Sequence, residues 1–255
     1  MVQLKTDTSI EAMRETGLVV AHMLAAVRKE AAVGVSLLEL DAVAREVLHE
    51  AGAGSPFLNY RPHFAPVPFP AVICASVNDA IVHGIPTGRR LRDGDLVSID
   101  AGATLKGWAG DSAISFTVGR ARPEDTRLID TAFAALDAGI SAAVVGNRIG
   151  DIAHAIGTVC RKAGYGIPDG FGGHGVGRSM HEDPAVPNEG RPGRGMLLRH
   201  GMVLAIEPML TGGGTDGYYP DRDGWTLRTS DGSRAAHAEH TVAITDDGPR
   251  VLTAL

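Results

Sequence analysis

Residues 96–119 read LVSIDAGATLKGWAGDSAISFTVG, two apolar runs about a glycine-rich middle. Its flanks, LVSID and DSAISFTV, are short apolar runs rich in Val, Ile and Phe, which predict strands over 95–101 and 111–118. The middle is glycine-rich, as expected of a connection between strands. Asp100 closes the first run and Asp111 opens the second. If the two strands pair as a hairpin, these carboxylates lie side by side on one face. Burying both is costly unless they are paired or bound to a metal. Taken alone, the stretch is explained equally well by a strand end and a turn cap.

Three further segments carry the same kind of chemistry. In GMVLAIEPML (201–210), Glu207 follows an apolar run and precedes Pro208; a glutamate there is almost never fully buried unless paired. AEHTVAIT (238–245) opens a strand with Glu239 beside His240, where an edge-strand charge is the plain alternative. FGGHGVGRSMHEDP (171–184) places His174 and His181 seven residues apart in a backbone that can pass close to a ligand. That spacing is too long for chelation from one helical turn, so separate roles are expected: His174 on a metal, His181 on substrate. Asp100, Asp111, His174, Glu207 and Glu239 thus form a candidate set of four carboxylates and one imidazole. Two divalent cations cancel four negative charges, which makes a two-metal hydrolase the leading expectation. His83, in SVNDAIVHGIP (76–86), reads by itself as a turn residue.

The chain has 255 residues, 44% of them apolar, enough to bury a substantial core. A net charge of −6 argues against a nucleic-acid partner. No apolar run is long enough to span a membrane, and the polar start MVQLKTDTSIEAMRETG is not a secretory signal. Two distant cysteines, Cys74 and Cys160, fit reduced thiols in a cytoplasm. The G-x-x-x-x-G-K-[ST], G-x-S-x-G and H-E-x-x-H patterns are absent from the sequence. TGGGTDG (211–217) lacks the setting of a dinucleotide loop and is expected to connect a hairpin.

Helices are predicted over 8–32, with Ser9 as N-cap, and over 36–51, where Ser36 and Glu39 have capping-box spacing and Gly52 supplies the stop. Residues 54–70 read as loop and 71–77 as strand. Helices return over 123–144 and 149–163, then strands near 202–210, 216–220, 224–229 and 237–245. A shift of 112 residues pairs Gly34 with Gly146, Leu40 with Ile152 and Gly52 with Gly164. Equal-length amphipathic helices match by chance in some cases, but the matching glycines favour an internal duplication. The expectation is one catalytic domain over 1–255, with pseudo-repeats of about 9–120 and 121–250. Its α/β architecture would be a shared antiparallel sheet with helices on one side, and its site would draw ligands from both halves.

The blocks SVNDAIVHGIP, LVSIDAG, GWAGDSAISFTVG, GGHGVGRSMHEDP, GMVLAIEPML and AEHTVAIT, in that order, resemble type I methionine aminopeptidase. The resemblance runs from about residue 9 to the C-terminus, and it implies the duplicated pita-bread fold. It implies two divalent metals held by Asp100, Asp111, His174, Glu207 and Glu239, with Asp111 and Glu239 bridging. His83 and His181 would contact substrate, Cys74 and Trp225 would line the methionine pocket, and Phe69 and Phe171 would add apolar walls. The implied reaction removes the N-terminal methionine of nascent chains whose second residue is small, with Glu207 moving the proton. A hard, oxygen-rich ligand set accepts Mn, Fe, Co or Zn without choosing among them. Expected partners are nascent polypeptide N-termini, without a membrane, in a cytoplasmic monomer; contact with the ribosome stays open. The type II insertion has no room between His174 and Glu239. Pro66 and Val67 stand where many members carry a Tyr-His pair, and Met180 stands where an aromatic is common, so substrate preference at the rim is open. A proline-specific peptidase of the same fold and a metal-free binding protein are the alternatives; only about eight residues precede the first helix, where the proline-specific enzymes carry a large domain.

Overall fold

Helix α1 (Asp7–Glu30) presents Val20, Met23, Leu24 and Val27 along one face, and all four are buried. Its N-cap is Thr6, whose Oγ1 accepts from the Ser9 amide at 3.3 Å, three residues before the position expected. Helix α2 (Leu37–Glu50) starts with the expected capping box: the Ser36 hydroxyl accepts from the Glu39 amide and the Glu39 carboxylate accepts from the Ser36 amide. A second pair follows, α3 (Pro123–Ala142) and α4 (Ile149–Lys162), within two residues of prediction at every end. The computed structural model describes residues 2–62 and 65–255; His63 and Phe64, inside the stretch expected as loop, lie outside it.

Among the described residues the main sheet has eight strands. Six pair antiparallel along the order β1 (Ile73–Val77), β3 (Leu96–Leu105), β4 (Trp108–Thr117), β12 (Glu239–Thr245), β7 (Val203–Ile206) and β5 (Gly172–Gly175). The edge strand β6 (Glu182–Pro187) follows β5, and β13 (Gly248–Val251) pairs with β12. Short strands complete the fold: β2 (Ala80–Val82) with β10 (Leu227–Thr229) and β9 (Tyr218–Pro220), and β11 (Ala235–His237) with β8 (Met209–Thr211). The α1–α2 pair packs on β1 and β3 through Leu40, Ala44, Ile73, Val97 and Ile99. The α3–α4 pair packs on β7 and β12 through Leu136, Ile152, Ile156, Leu204 and Ile244.

Three strand expectations need correction. The β3–β4 hairpin runs on to Leu105 and Trp108, and only Lys106 and Gly107, both at positive φ, turn the chain. Gly102 and Gly110 therefore lie within strands. A side chain at Gly102 would strike Met180 and Phe57, so this glycine serves close packing, not reversal; one at Gly110 would make only ordinary contact with α1 at Gly17. Residues 202–210 form two strands, because Pro208 has no N–H for the ladder. The partner strand breaks at the facing point, between β11 and β12, where the Ala238 amide donates to the Pro208 carbonyl. Finally, the 211–217 segment does not close a hairpin: β8 pairs with β11 and β9 with β10.

The same backbone device occurs at both helix pairs. Gly34 (φ +93°) donates to Leu91, and Gly146 (φ +94°), 112 residues on (146 less 34), donates to Leu198. Gly54 and Thr104 exchange two backbone hydrogen bonds, as do Gly166 and Thr211.

Candidate metal centre

Strand register sets the site. Cys74 lies opposite Asp100, Asp100 opposite Ala113, and Ala113 opposite Glu239, a row crossing β1, β3, β4 and β12. Asp111, two residues from Ala113, points to the same face and sits diagonally from Asp100, one pleat off the side-by-side placement expected. Cross-strand hydroxyls hold the backbones of the two inner acids. Thr241 Oγ1 accepts from the Asp111 amide at 3.0 Å and donates to its carbonyl at 2.7 Å, while Ser112 Oγ donates to the Glu239 carbonyl at 2.6 Å. Glu207 sits at the Pro208 break with its carbonyl accepting from Asn188 Nδ2 at 3.0 Å. His174 comes from β5, a strand the glycine-rich sequence hid.

These side chains converge. His174 Nε2 lies 3.5 Å from Glu207 Oε1 and 3.7 Å from Asp111 Oδ2. The donor atoms of Asp111, His174 and Glu239 all lie within 4.8 Å of one another. His174 Nδ1 is 2.9 Å from the Gly175 carbonyl. A carbonyl only accepts, so Nδ1 carries the hydrogen and Nε2 turns a lone pair toward the carboxylates. Asp100 Oδ1, Asp111 Oδ1 and Glu239 Oε1 are buried without a hydrogen-bond partner among the described residues. Lone pairs facing lone pairs in a buried cluster fit a cation, and four carboxylate ligands with one imidazole are a donor set that divalent ions accept.

The electrostatics follow from burial. It pushes Glu207 up to about 7, with His174 pulling the other way. It pushes Asp100 up to about 6, opposed by His237 and reinforced by Glu207. Asp111 and Glu239 stand well above the ordinary carboxyl range, first from burial and then from the neighbouring carboxylates. Burial lowers His174, His181 and His237, and brings His83 to about 4, so the last ring is neutral near pH 7. The Cys74 thiol is pushed well up by burial and by Asp100, which leaves it an apolar wall rather than a nucleophile.

A cavity of about 260 Å³ opens on this cluster. All the residues expected at the site line it: the five ligand candidates, His83, His181, Cys74, Phe69, Phe171 and Trp225. His181 stands over the His174 ring at 4.4 Å between centroids. His83 is held at φ +59°, an unusual backbone state for a side chain of this size, with its ring 6.2 Å from Trp225 and 6.1 Å from Phe171. Trp225 packs on Phe69 at 5.1 Å and donates Nε1–H to the Val67 carbonyl. The loop leading to His181 is tied down at its end, where the buried Lys5 ammonium meets the Glu182 carboxylate at 2.8 Å.

Several residues at the site, Phe57 and Met209 among them, have no counterpart in the sequence expectations, and two of these bear on its chemistry. Tyr60 stacks on His181 at 5.5 Å and 26° and reaches within 6.4 Å of Trp225. It supplies an aromatic ring at the rim where Pro66 and Val67 do not; it was hidden because it stands six residues upstream in a segment without periodicity. His237 is the second, and its AHAEHTVAIT context drew attention to Glu239 and His240 instead. His240 faces away, toward Ser112 and Thr253 hydroxyls at 3.3 and 2.9 Å.

Comparison with known proteins gives the family. The model of metallopeptidase family M24 matches residues 11–246. A methionine aminopeptidase 1 from Mycobacterium tuberculosis is 54% identical over 260 residues, covering 99% of this chain and 95% of the relative. The crystal structure of methionine aminopeptidase from Thermotoga maritima superposes with a TM-score of 0.95 at 37% identity, covering both chains fully. A Pyrococcus horikoshii prolidase shares the fold, with a TM-score of 0.76, but at 21% identity and with 63% of its length covered. The chain belongs to metallopeptidase family M24, with the pita-bread fold, and groups there with the methionine aminopeptidases, metal-dependent exopeptidases.

Proposed function

We propose that this chain removes the N-terminal methionine of nascent polypeptides with a small second residue, and that Asp100, Asp111, His174, Glu207 and Glu239 hold two divalent cations for the purpose. The observation carrying this reading is the set of unpartnered oxygens of Asp100, Asp111 and Glu239 facing a His174 lone pair. Asp111 and Glu239, whose backbones Thr241 and Ser112 hold at the centre of the cluster, would be the ligands shared by the two cations. Cations bound there would polarise the scissile carbonyl and acidify the attacking water.

The chain's own groups do the rest. Glu207, at the edge of the cluster beside His174, is the carboxylate assigned to take the proton from the attacking water and return it to the leaving amine. His181, above His174, donates to the developing oxyanion. His83, neutral and aimed from a fixed backbone, contacts the scissile amide. The methionine side chain occupies the apolar end of the cavity, against Cys74, Phe69, Phe171 and Trp225, with Tyr60 closing the rim. Free, buried Cys74 and Cys160 support a cytoplasmic setting. We read residues 9–120 and 121–250 as a duplication, supported by the recurring Gly34 and Gly146 device, with the cations on the seam.

A Met-X-Y peptide panel, assayed after single metals are added back to apo-protein, tests the reading. Methionine release confined to small X supports it. Release governed by proline at X, or no release with Mn, Fe, Co or Zn, refutes it.

A further inference from the structure

His237 ends β11 one residue before the break that separates it from Glu239, and its side chain is 2% exposed. Its Nε2 is buried with no hydrogen-bond partner among the described residues. That atom lies 3.5 Å from Glu207 Oε2 and 4.0 Å from Glu239 Oε2. The other oxygen of the same Glu207 carboxylate, Oε1, lies 3.5 Å from His174 Nε2. Two imidazoles therefore bracket one carboxylate, one at each oxygen.

The two rings are not equivalent. His174 has committed its hydrogen to the Gly175 carbonyl and faces Oε1 with a lone pair. The His237 backbone is clamped on both sides by Ser115, whose Oγ accepts from its amide at 2.9 Å and donates to its carbonyl at 2.7 Å. Ser115 is itself bound to Ser98 Oγ at 2.7 Å. The ring is thus held at the carboxylate by its strand, and a closure of a few tenths of an ångström brings Nε2 within hydrogen-bond range of Oε2. A buried ring nitrogen left unpaired is costly, and the nearby partners available to it are acceptors.

We propose that His237 is a positioning residue of the metal centre: its Nε2–H donates to Glu207 Oε2, which leaves Oε1 directed at the cations beside His174. This rests on the metal-centre reading above. Outer partners of ligating carboxylates typically change metal affinity by about 10–100-fold when removed.

Co(II) is titrated calorimetrically into apo-protein, and the visible absorption of the loaded form is recorded, for the parent, His237→Gln, His237→Leu and His237→Asn. Glutamine keeps an N–H donor at similar reach; leucine has none, and asparagine is too short. The expected result is Co(II) affinity within a few-fold of the parent for Gln, and about 10–100-fold weaker for Leu and Asn. The Gln absorption bands should match the parent, since no ligand is lost. If the Leu variant does not fold, Gln against Asn carries the same test. Parent-like affinity in Leu or Asn overturns the proposal. So does a Gln variant as weak as Leu with altered bands, which would make His237 a direct ligand. If the parent binds Co(II) no better than Asp111→Asn, the metal-centre reading itself has failed.

Discussion

Glu207→Gln, studied without metal, measures what the carboxylate cluster does to the fold. Burial raises Glu207 from 4.5 to about 7. A carboxyl whose pKa is higher folded than unfolded binds its proton more tightly in the native state. Its stabilising contribution is complete below 4.5 and is lost as pH rises through about 7. At 1.36 kcal/mol per pH unit over that interval, the loss is about 3 kcal/mol. Histidines act in the opposite sense: His83, brought to about 4 by burial, adds stability as pH rises toward 6.5. That contribution is common to parent and variant and cancels between them. Glutamine cannot ionise, so relative to the parent the variant should gain about 3 kcal/mol between pH 4.5 and pH 8. Relief of Asp111 and Glu239, both raised partly by Glu207, adds in the same direction. Urea unfolding of both proteins in chelator at the two pH values gives the number. A difference that stays flat, or that falls as pH rises, refutes the reasoning; a fall would mean that His174 and His237 stabilise Glu207 as an ion pair.

The same variant, loaded with metal, should lose at least about 100-fold in turnover on a Met-Ala-Ser peptide while its circular dichroism stays native; near-parent turnover removes Glu207 from proton transfer. His181→Ala should lower kcat by about 100-fold with metal content near that of the parent, and metal loss on analysis would exchange the roles given to His174 and His181. Gly173→Ala should destabilise by about 1–3 kcal/mol, measured by urea unfolding, because its methyl would strike the Ala205 carbonyl; unchanged stability would show that β5 can shift.

How much the sequence disclosed depended on side-chain periodicity. The four helices declared themselves, since Ser36 with Glu39 and the stops at Gly52 and Gly164 are local signals that need no partner. The carboxylates were legible because an acid next to an apolar run has few explanations. What stayed hidden is what only pairing reveals. GGHG has no strand propensity, and β5 is a strand because β6 and β7 accept it as one. The true length of the β3–β4 hairpin is concealed by Gly102 and Gly110, and the space that Gly102 needs is set by Phe57 and Met180, far away in sequence. Tyr60 and His237 were missed for the same reason: each acts through neighbours from another segment.

Strand β5 has four residues and a single side chain, that of His174. At Gly172, Gly173 and Gly175 a β-carbon would strike the backbone of β6 or β7. Neutral substitutions therefore have nowhere to accumulate along it. Saturation libraries over 172–175 should return the starting sequence almost alone, while the neighbouring β6 positions Asp183, Ala185 and Pro187, exposed in the alternation of that edge strand, accept variety. For redesign, retuning of the centre by mutation has to come from outside β5, through residues such as His237, Asn188, Ser115 or Thr241, because the strand that delivers the imidazole has no freedom of its own.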